Sequence, residues 1–309
     1  MLNTSVSKNQ NFRGRGIIFA ATLAVIFLHH DPAAAQAPVA LASAAKFAVL
    51  AGTMVTSTGL TVIYGSLGVS PGGVVTGTPT VNGSTQLDNP ISAQAQADLA
   101  VAYNDAAGRT LNSIAEAGNI GGLVLPPGLY TSGSSLAISS GDLTLDGQNN
   151  TNGVWIFQAG STLITTTGNV ILIRGAQASN VFWQVGSSAT IGTSTIFKGT
   201  IMAKISITVQ TGATVEGRAL AENYEVDLDS NSISNGLPMA LSFGPTTRAP
   251  DGAVTLVITN TPNFLLTLQI STDLINWTNL TTITPNATPY SFTDTTPSGQ
   301  AIRYYRAHY

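Results

Sequence analysis

Between Gly128 and about Ser234 the chain repeats one loose unit. GLYTSGSSLAISSGDLTLDG (128–147) is followed by VWIFQAGSTLITTTGNVILIRGA (154–176), VFWQVGSSATIGTSTIFKGTIMA (181–203) and ISITVQTGATVEGRALA (205–221). Each unit has an aromatic or β-branched start, a Gly/Ser corner, a Thr-rich middle and an apolar end. FAVLAGTMVTSTGLTVIYG (47–65) keeps the same rhythm earlier in the chain. Short strands recurring every twenty-odd residues predict the coils of a β-solenoid, because a single coil cannot bury its inner face and must stack on neighbours. Period-two alternation turns Val170 and Leu172, or Ile191 and Ile196, inward and the intervening Thr and Ser outward.

One segment breaks this rhythm. Asn89 is an N-cap residue, Pro90 suits the first helical position, and Gly108 can end a helix. Ile91, Ala95, Leu99, Ala102, Tyr103 and Ala106 recur at helical spacing between them, predicting a helix over 90–107 with one apolar stripe. Thr76 to Asp88 before it reads as a short loop. After Pro238 the texture changes: 246–250 reads as a linker, and 254–259, 265–271, 276–284, 290–294 and 302–309 read as five strands of a small β-sandwich. Trp277 is expected in its core, and Tyr304, Tyr305 and Arg306 at a buried strand end.

At the N-terminus, Lys8, Arg13 and Arg15 precede an apolar run from Gly16 to Leu28, and small residues follow at Ala33–Ala35. A basic start, a short apolar middle and a small-residue site predict a signal peptide over 1–35, cleaved after Ala35, and an exported protein with no membrane span in its mature form. His29 and His30 fall in that segment.

Composition narrows the chemistry. Only 9% of residues are charged and the net charge is −3, against roughly 25% charged in average soluble domains; a basic nucleic-acid binder is excluded. With no Cys and 3 His in 309 residues, thiolate sites and His-based zinc sites fall away. No cofactor or metal is expected. Asp227 and Asp229 are the nearest approach to paired carboxylates, but Asp229-Ser230-Asn231 equally reads as a turn, and no Ser-His-Asp arrangement is in view.

Thr is the abundant polar residue, 40 of 309. Thr162, Thr165 and Thr167 lie in one coil, Thr190, Thr193 and Thr195 in the next, and Thr208, Thr211 and Thr214 in the one after. Strands stack about 4.8 Å apart and alternate residues lie about 6.7 Å apart, so stacked Thr would form a regular array of methyls and hydroxyls. Such an array suits a crystalline ligand; Thr also simply suits a solvent-facing strand.

Several strings carry a resemblance. FAVLAG (47–52), GSLGVSPG (65–72), AQAQADLAVAYNDAAGRT (93–110), LPPGLY (125–130), LTLDGQ (143–148), WIFQAGSTL (155–163), NVFWQVGSSATIGT (180–193) and TGATVEGRALA (211–221) occur in one order across Ala45–Ile233. The segment resembles the secreted microbial ice-binding (antifreeze) proteins. The resemblance implies a mainly β fold: a discontinuous, triangular β-solenoid with one long flanking α-helix, in which the N-terminal coil stacks back against the rest. It also implies adsorption to an ice crystal surface through one flat Thr/Ser-rich face, inhibiting ice growth or recrystallisation without turnover. The family pattern T-[A/G]-x-[T/N] is matched by Thr58-Gly59-Leu60-Thr61 and Thr211-Gly212-Ala213-Thr214, while the middle coils depart from it at Val170 and Ile196. The ice-facing set expected from stacking and resemblance together is Thr58, Thr61, Thr162, Thr165, Thr167, Thr190, Thr193, Thr195, Thr208, Thr211 and Thr214.

The C-terminal stretch, with Ser271-Thr272-Asp273-Leu274 and Trp277, resembles a fibronectin type III-like module of secreted bacterial proteins. The organisation expected is a signal peptide (1–35), a solenoid domain (36–245) and this module (246–309), the last a candidate for contact with cell-surface polysaccharide. A non-catalytic carbohydrate-binding or adhesive module is the alternative reading of the whole chain, and a polysaccharide-degrading β-helix a third.

Overall fold

The computed structural model describes residues 36–116, 118–236, 241–259, 266–283, 285, 289–295 and 302–308. The expected signal peptide lies outside them. The described chain is mainly β with one α-helix.

Each repeat closes into a coil of three short strands, and successive coils stack in parallel. One side of the stack is covered by the helix, one is open, and one is divided between two sheets. The helix-covered side runs from Ser113–Ala115 through Gly128–Ser132, Trp155–Ala159 and Val181–Val185 to the C-terminal halves of Ile196–Ala203 and Thr214–Ala221. It then continues into Phe47–Ala51, Ser66–Val69 and Thr85–Leu87. Stacking order therefore departs from sequence order: Val49 sits beside Ala219, Val55 beside Val226, and Ile63 beside Ile233. The segment expected to be a loop, Thr76 to Asp88, instead completes an outermost coil: Val74–Thr76 and Thr80–Val81 pair with the coil before, and Thr85–Leu87 adds a last strand. Its strands are two or three residues long, too short for periodicity to register.

Coil length changes along the stack. Trp155 lies beside Val181, 26 residues on, but Phe182 lies beside Thr200, 18 residues on. The wider coils are filled by a ladder of buried rings, Tyr130, Phe157, Trp183 and Phe197, with centroids 5.2, 4.0 and 5.1 Å apart. In the narrower coils the register partners of Trp183 are Ile201, Ala219 and Val49. The interior is one apolar cluster drawing on all three sides. Where the narrow coils turn from the divided to the helix-covered side, Gly199 and Gly217 are in register. A Cβ on Gly217 (φ +152°) would lie 1.8 Å from the Gly199 carbonyl oxygen, so only glycine turns this corner.

The helix spans Pro90–Gly108. Asn89 accepts the backbone N–H groups of Ile91 and Ser92 (3.1 and 3.0 Å), and Ser92 Oγ accepts that of Asn89 (3.1 Å), a reciprocal cap contributing about 1 kcal/mol. At the other end Gln158 reaches from its strand to donate to the carbonyls of Ala106 (2.7 Å) and Arg109 (2.8 Å). Ala95, Leu99, Ala102, Tyr103 and Ala106 share an apolar cluster with Leu50, Leu129, Ile156, Phe182, Met202 and Leu220. Ile91, expected on this stripe, is 55% exposed, and the buried first-turn residue is Ser92, drawn in by the cap.

The described residues between 242 and 308 form two antiparallel sheets. Val254–Thr259 pairs with Ser242–Phe243, Thr247–Arg248 and Tyr290–Asp294; Leu266–Ser271 pairs with Thr278–Ile283 and Tyr304–His308. Leu256 and Ile258 of the first meet Leu266 and Leu268 of the second in one apolar cluster. The expected linker at 246–250 is therefore partly a hairpin arm. Trp277 is not in this core: it is half-buried, its indole N–H donates to the Leu274 carbonyl (3.1 Å), and the Arg306 guanidinium lies 4.4 Å over its ring. Tyr304 and Arg306 are exposed as well; of the three strand-end residues only Tyr305 turns toward the cluster.

Candidate binding face

Eight parallel strands make the open side, in the stacking order Val74–Thr76, Met54–Thr58, Val226–Asp229, Ile207–Val209, Ala189–Ile191, Leu163–Thr165, Leu136–Ile138 and Gly118–Asn119. No bulge or register shift interrupts them. Strict alternation buries Leu136, Leu163, Ala189, Ile207, Val226 and Val55 as one interior row, and Ile138, Thr165, Ile191, Val209, Leu228 and Ser57 as the next. The row between them faces outward: Ala137, Ile164, Thr190, Thr208, Asp227, Thr56 and Thr76. A neighbouring outward row is tied together by hydroxyls, Thr162 to Ser135 (2.7 Å) and Ser188 to Ser206 (2.9 Å).

The divided side consists of Val124–Leu125, Leu143–Asp146 and Val170–Ile173 in one sheet, beside a second formed by the N-terminal halves of Ile196–Ala203 and Thr214–Ala221 with Ser232–Ser234, Val62–Tyr64 and Thr80–Val81. Its outward row in the second sheet is Ile196, Thr214, Ser232, Val62 and Thr80. Two residues further on, Lys198 and Glu216 form an ion pair across stacked coils.

The predicted threonines scatter over these surfaces. Thr190 and Thr208 lie in the central outward row of the open side, and Thr162 in its neighbour. Thr58, Thr167, Thr193 and Thr211 are exposed at or beside the corner between the open and divided sides. Thr214 is exposed on the divided side. Thr61, Thr165 and Thr195 are interior, 2, 2 and 3% exposed. Thr165 and Thr195 hydrogen-bond each other (3.2 Å), and Thr165 Oγ1 also accepts the Gly192 N–H (2.8 Å). Thr61 Oγ1 accepts the Asn231 N–H (3.3 Å). Thr165 and Thr61 satisfy buried backbone at the corners, Thr195 bonds the Thr165 hydroxyl, and none of the three can touch an external surface. The corner also reverses an expectation for Ile196, which is 47% exposed: Ser194 enters the left-handed region (φ 57°), so Thr195 points in and Ile196 out.

Both matches to the T-[A/G]-x-[T/N] pattern sit at this corner, with Gly59 and Gly212 at φ +63° and +71°. They are not equivalent. Thr61 is buried and Thr214 exposed, because the first corner joins Thr58 to Val62 and the second joins Val209 to Thr214. Sequence reading missed Thr56 and Thr76; aligning MVTST with its register partner VDLD, and VVT with MVT, would have placed both.

Asp227 and Asp229 do share the open side, as their spacing predicts. Asp229 accepts the Thr211 and Ser230 hydroxyls, which hold its carboxyl below the usual carboxylate range. Its N–H donates to the Asn231 side chain (2.6 Å), which in turn donates to the carbonyls of Gln210 and Ala213, so this is a structural turn. A depression of about 410 Å³ beside it is lined by Thr56, Thr58, Thr208, Thr211 and the two Asp, with no His or Lys to act as a base. Among the described residues no group of three His, Asp or Glu could hold a metal.

An ice-binding-like family model matches residues 49–234. The ice-binding protein of Nostoc sp. (strain HG1) is 46% identical over 198 residues, 63% of this chain and 73% of that protein. That of Colwellia sp. is 35% identical over 239 residues, 71% of this chain and 92% of that protein. The crystal structure of an ice-binding protein from an Antarctic biological consortium superposes with a TM-score of 0.64 at 50% identity, covering 65% of this chain and 92% of that one. That of the ascomycete Antarctomyces psychrotrophicus gives 0.61 at 36% identity, covering 64% and 98%. The match in sequence, order and fold spans the coiled part of the molecule: the chain belongs to the ice-binding-like family.

Proposed function

We propose that this protein adsorbs to ice through the open side of the solenoid and so restrains ice growth and recrystallisation, outside the cell. The observation that carries this reading is the unbroken, in-register sheet of eight strands whose central outward row holds Thr56, Thr76, Thr190 and Thr208. Even its depression beside Asp229 is shallow and open, so the surface gives a small solute no enclosing walls. It gives a crystal a repeat of about 4.8 Å fixed by backbone hydrogen bonds, with methyls that shed water and hydroxyls that order it. Each contact is weak and the row acts as a unit, so the reading requires no turnover and no catalytic residue.

Of the eleven threonines expected from sequence, the proposed surface keeps Thr58, Thr162, Thr190, Thr193, Thr208 and Thr211 and adds Thr56 and Thr76. The three-sided coils and the buried stripe of the helix support a triangular solenoid with a flanking helix over 36–245. The shared cluster of the two antiparallel sheets supports reading 246–309 as a fibronectin type III-like sandwich. Ice shaping and thermal hysteresis of the purified protein under a cooled microscope stage test the proposal; hexagonal faceting and a hysteresis gap are expected, and freely rounded growth overturns it.

A further inference from the structure

The C-terminal sheet of Leu266–Ser271, Thr278–Ile283 and Tyr304–His308 has two unlike faces. Leu266, Leu268, Tyr305 and Ala307 turn to the apolar cluster, and alternation sends Gln269, Tyr304 and Arg306 the other way. On that outer face three side chains join across the three strands. Arg306 Nε donates to Gln269 Oε1 (2.6 Å), and Gln269 Nε2 donates to Asn279 Oδ1 (2.6 Å). The Arg306 guanidinium also lies 4.4 Å over the ring of Trp277, whose indole N–H is fixed on the Leu274 carbonyl. An exposed arginine ordinarily samples many rotamers; this one is held both in its plane and from beneath.

Its charge is uncompensated. Arg303, on the same segment, pairs with Asp294, but Arg306 meets no carboxylate among the described residues. The acid of the neighbouring turn, Asp273, has its oxygens taken up by Ser271, Ile275 and Asn276. With Nε bonded and one face stacked, the terminal donors of the guanidinium fork point to solvent, the edge that takes a carboxylate with two parallel bonds. The groups around it are neutral: Gln269, Asn279, and Tyr304, which is 37% exposed and about 6.7 Å along the same strand.

We propose that this face binds polysaccharide carrying uronic acid carboxylates, with Arg306 clamping a carboxylate and Gln269, Asn279 and Tyr304 meeting ring hydroxyls. The inference goes beyond ice adsorption and does not depend on it. An acidic peptide calls for several cations, and the face offers one. An apolar partner calls for aliphatic surface, but the exposed Leu274 and Ile275 lie in the turn at the end of the sheet. A polymer with one carboxylate per sugar ring and hydroxyls elsewhere matches one oriented cation among neutral donors and acceptors.

The test is electrophoresis of the full chain through gels containing alginate or polygalacturonate. Retardation by at least one polymer is expected, lost when its carboxyls are reduced to alcohols and absent with polyglutamate. Arg306→Gln is expected to weaken binding by about tenfold or more and to keep the wild-type melting temperature and hysteresis. Arg306→Lys, which keeps the charge and loses the planar fork, should fall between the two; Trp277→Ala, which frees the guanidinium, should weaken binding less than Arg306→Gln. Passage unhindered by both polymers, retardation that survives carboxyl reduction, equal retardation by polyglutamate, or Arg306→Gln migrating as wild type each overturns the proposal. Hysteresis, measured on the same samples, reports on the open side separately.

Discussion

The open and divided sides are cut from the same coils by the same alternation, yet only one is a continuous plane. On the open side every strand from Gly118–Asn119 to Val74–Thr76 pairs with the next without a shift. On the divided side the wider coils detour through Gly147–Val154 and Arg174–Asn180 before rejoining the stack, and their three strands form a sheet of their own. Regularity on an outer surface is thus decided by where extra residues are inserted. The insertions fall at the corner leading to the helix-covered side, and the open side keeps its order.

The largest expected break in this comparison is Thr208→Tyr. A ring in the middle of the central row holds the lattice away, and the loss should reach ~2 kcal/mol or more, as at the centre of close-packed interfaces; hysteresis collapses while the melting temperature holds. Thr165→Val exchanges the two readouts. It removes the interior bonds to Thr195 and to the Gly192 N–H, so stability falls by ~1–3 kcal/mol in a thermal melt while hysteresis stays at the wild-type level. Asp227→Thr completes the outward row between Thr208 and Thr56. Removing a carboxylate that must shed water against the lattice is expected to raise hysteresis, a gain on the order of 1 kcal/mol. On the divided side Glu216→Gln breaks a surface ion pair, costs at most ~1 kcal/mol of stability, and leaves hysteresis where it was.

The smallest effect is one of pH. The Asp229 carboxyl is held low by Thr211 and Ser230. A depressed folded-state value gives stability that is complete above the ordinary carboxylate range and lost as pH falls through the folded value. The melting temperature should therefore be level from neutrality down to about pH 4 and decline below it. Thr211→Val should lower the melting temperature at neutral pH and make the acid decline shallower, because the folded value moves back toward the unfolded one.

Much of this was legible in the sequence. The repeat, the capped helix and the return of the N-terminal coil follow from periodicity, from Asn89-Pro90 and from family resemblance. Inward and outward assignments held inside strands, where period two is enforced by the pleat: Val170 and Ile191 are buried as expected. They failed across a corner. Ser194 in a left-handed conformation exchanges Thr195 and Ile196 between inside and outside, whereas Thr165 keeps the alternation of its strand two residues after the buried Leu163 and was misassigned although period two turns it inward. The residue spacing T-x-T is the same in both settings, so spacing alone cannot separate a lattice contact from a corner bond. Thr56 and Thr76 were missed for different reasons: Thr56 stacks on Asp227, remote in sequence, and Thr76 lies in a strand of only three residues at the edge of the sheet.

That distance has a kinetic consequence. Val49 must find Ala219, and Val55 must find Val226, some 170 residues downstream. Loops of that span close slowly, and topologies dominated by remote pairings fold late. The first coils pair with one another locally but cannot join the rest of the stack until the final coil has been synthesised, so the solenoid becomes whole only in one closing step near the end of its assembly.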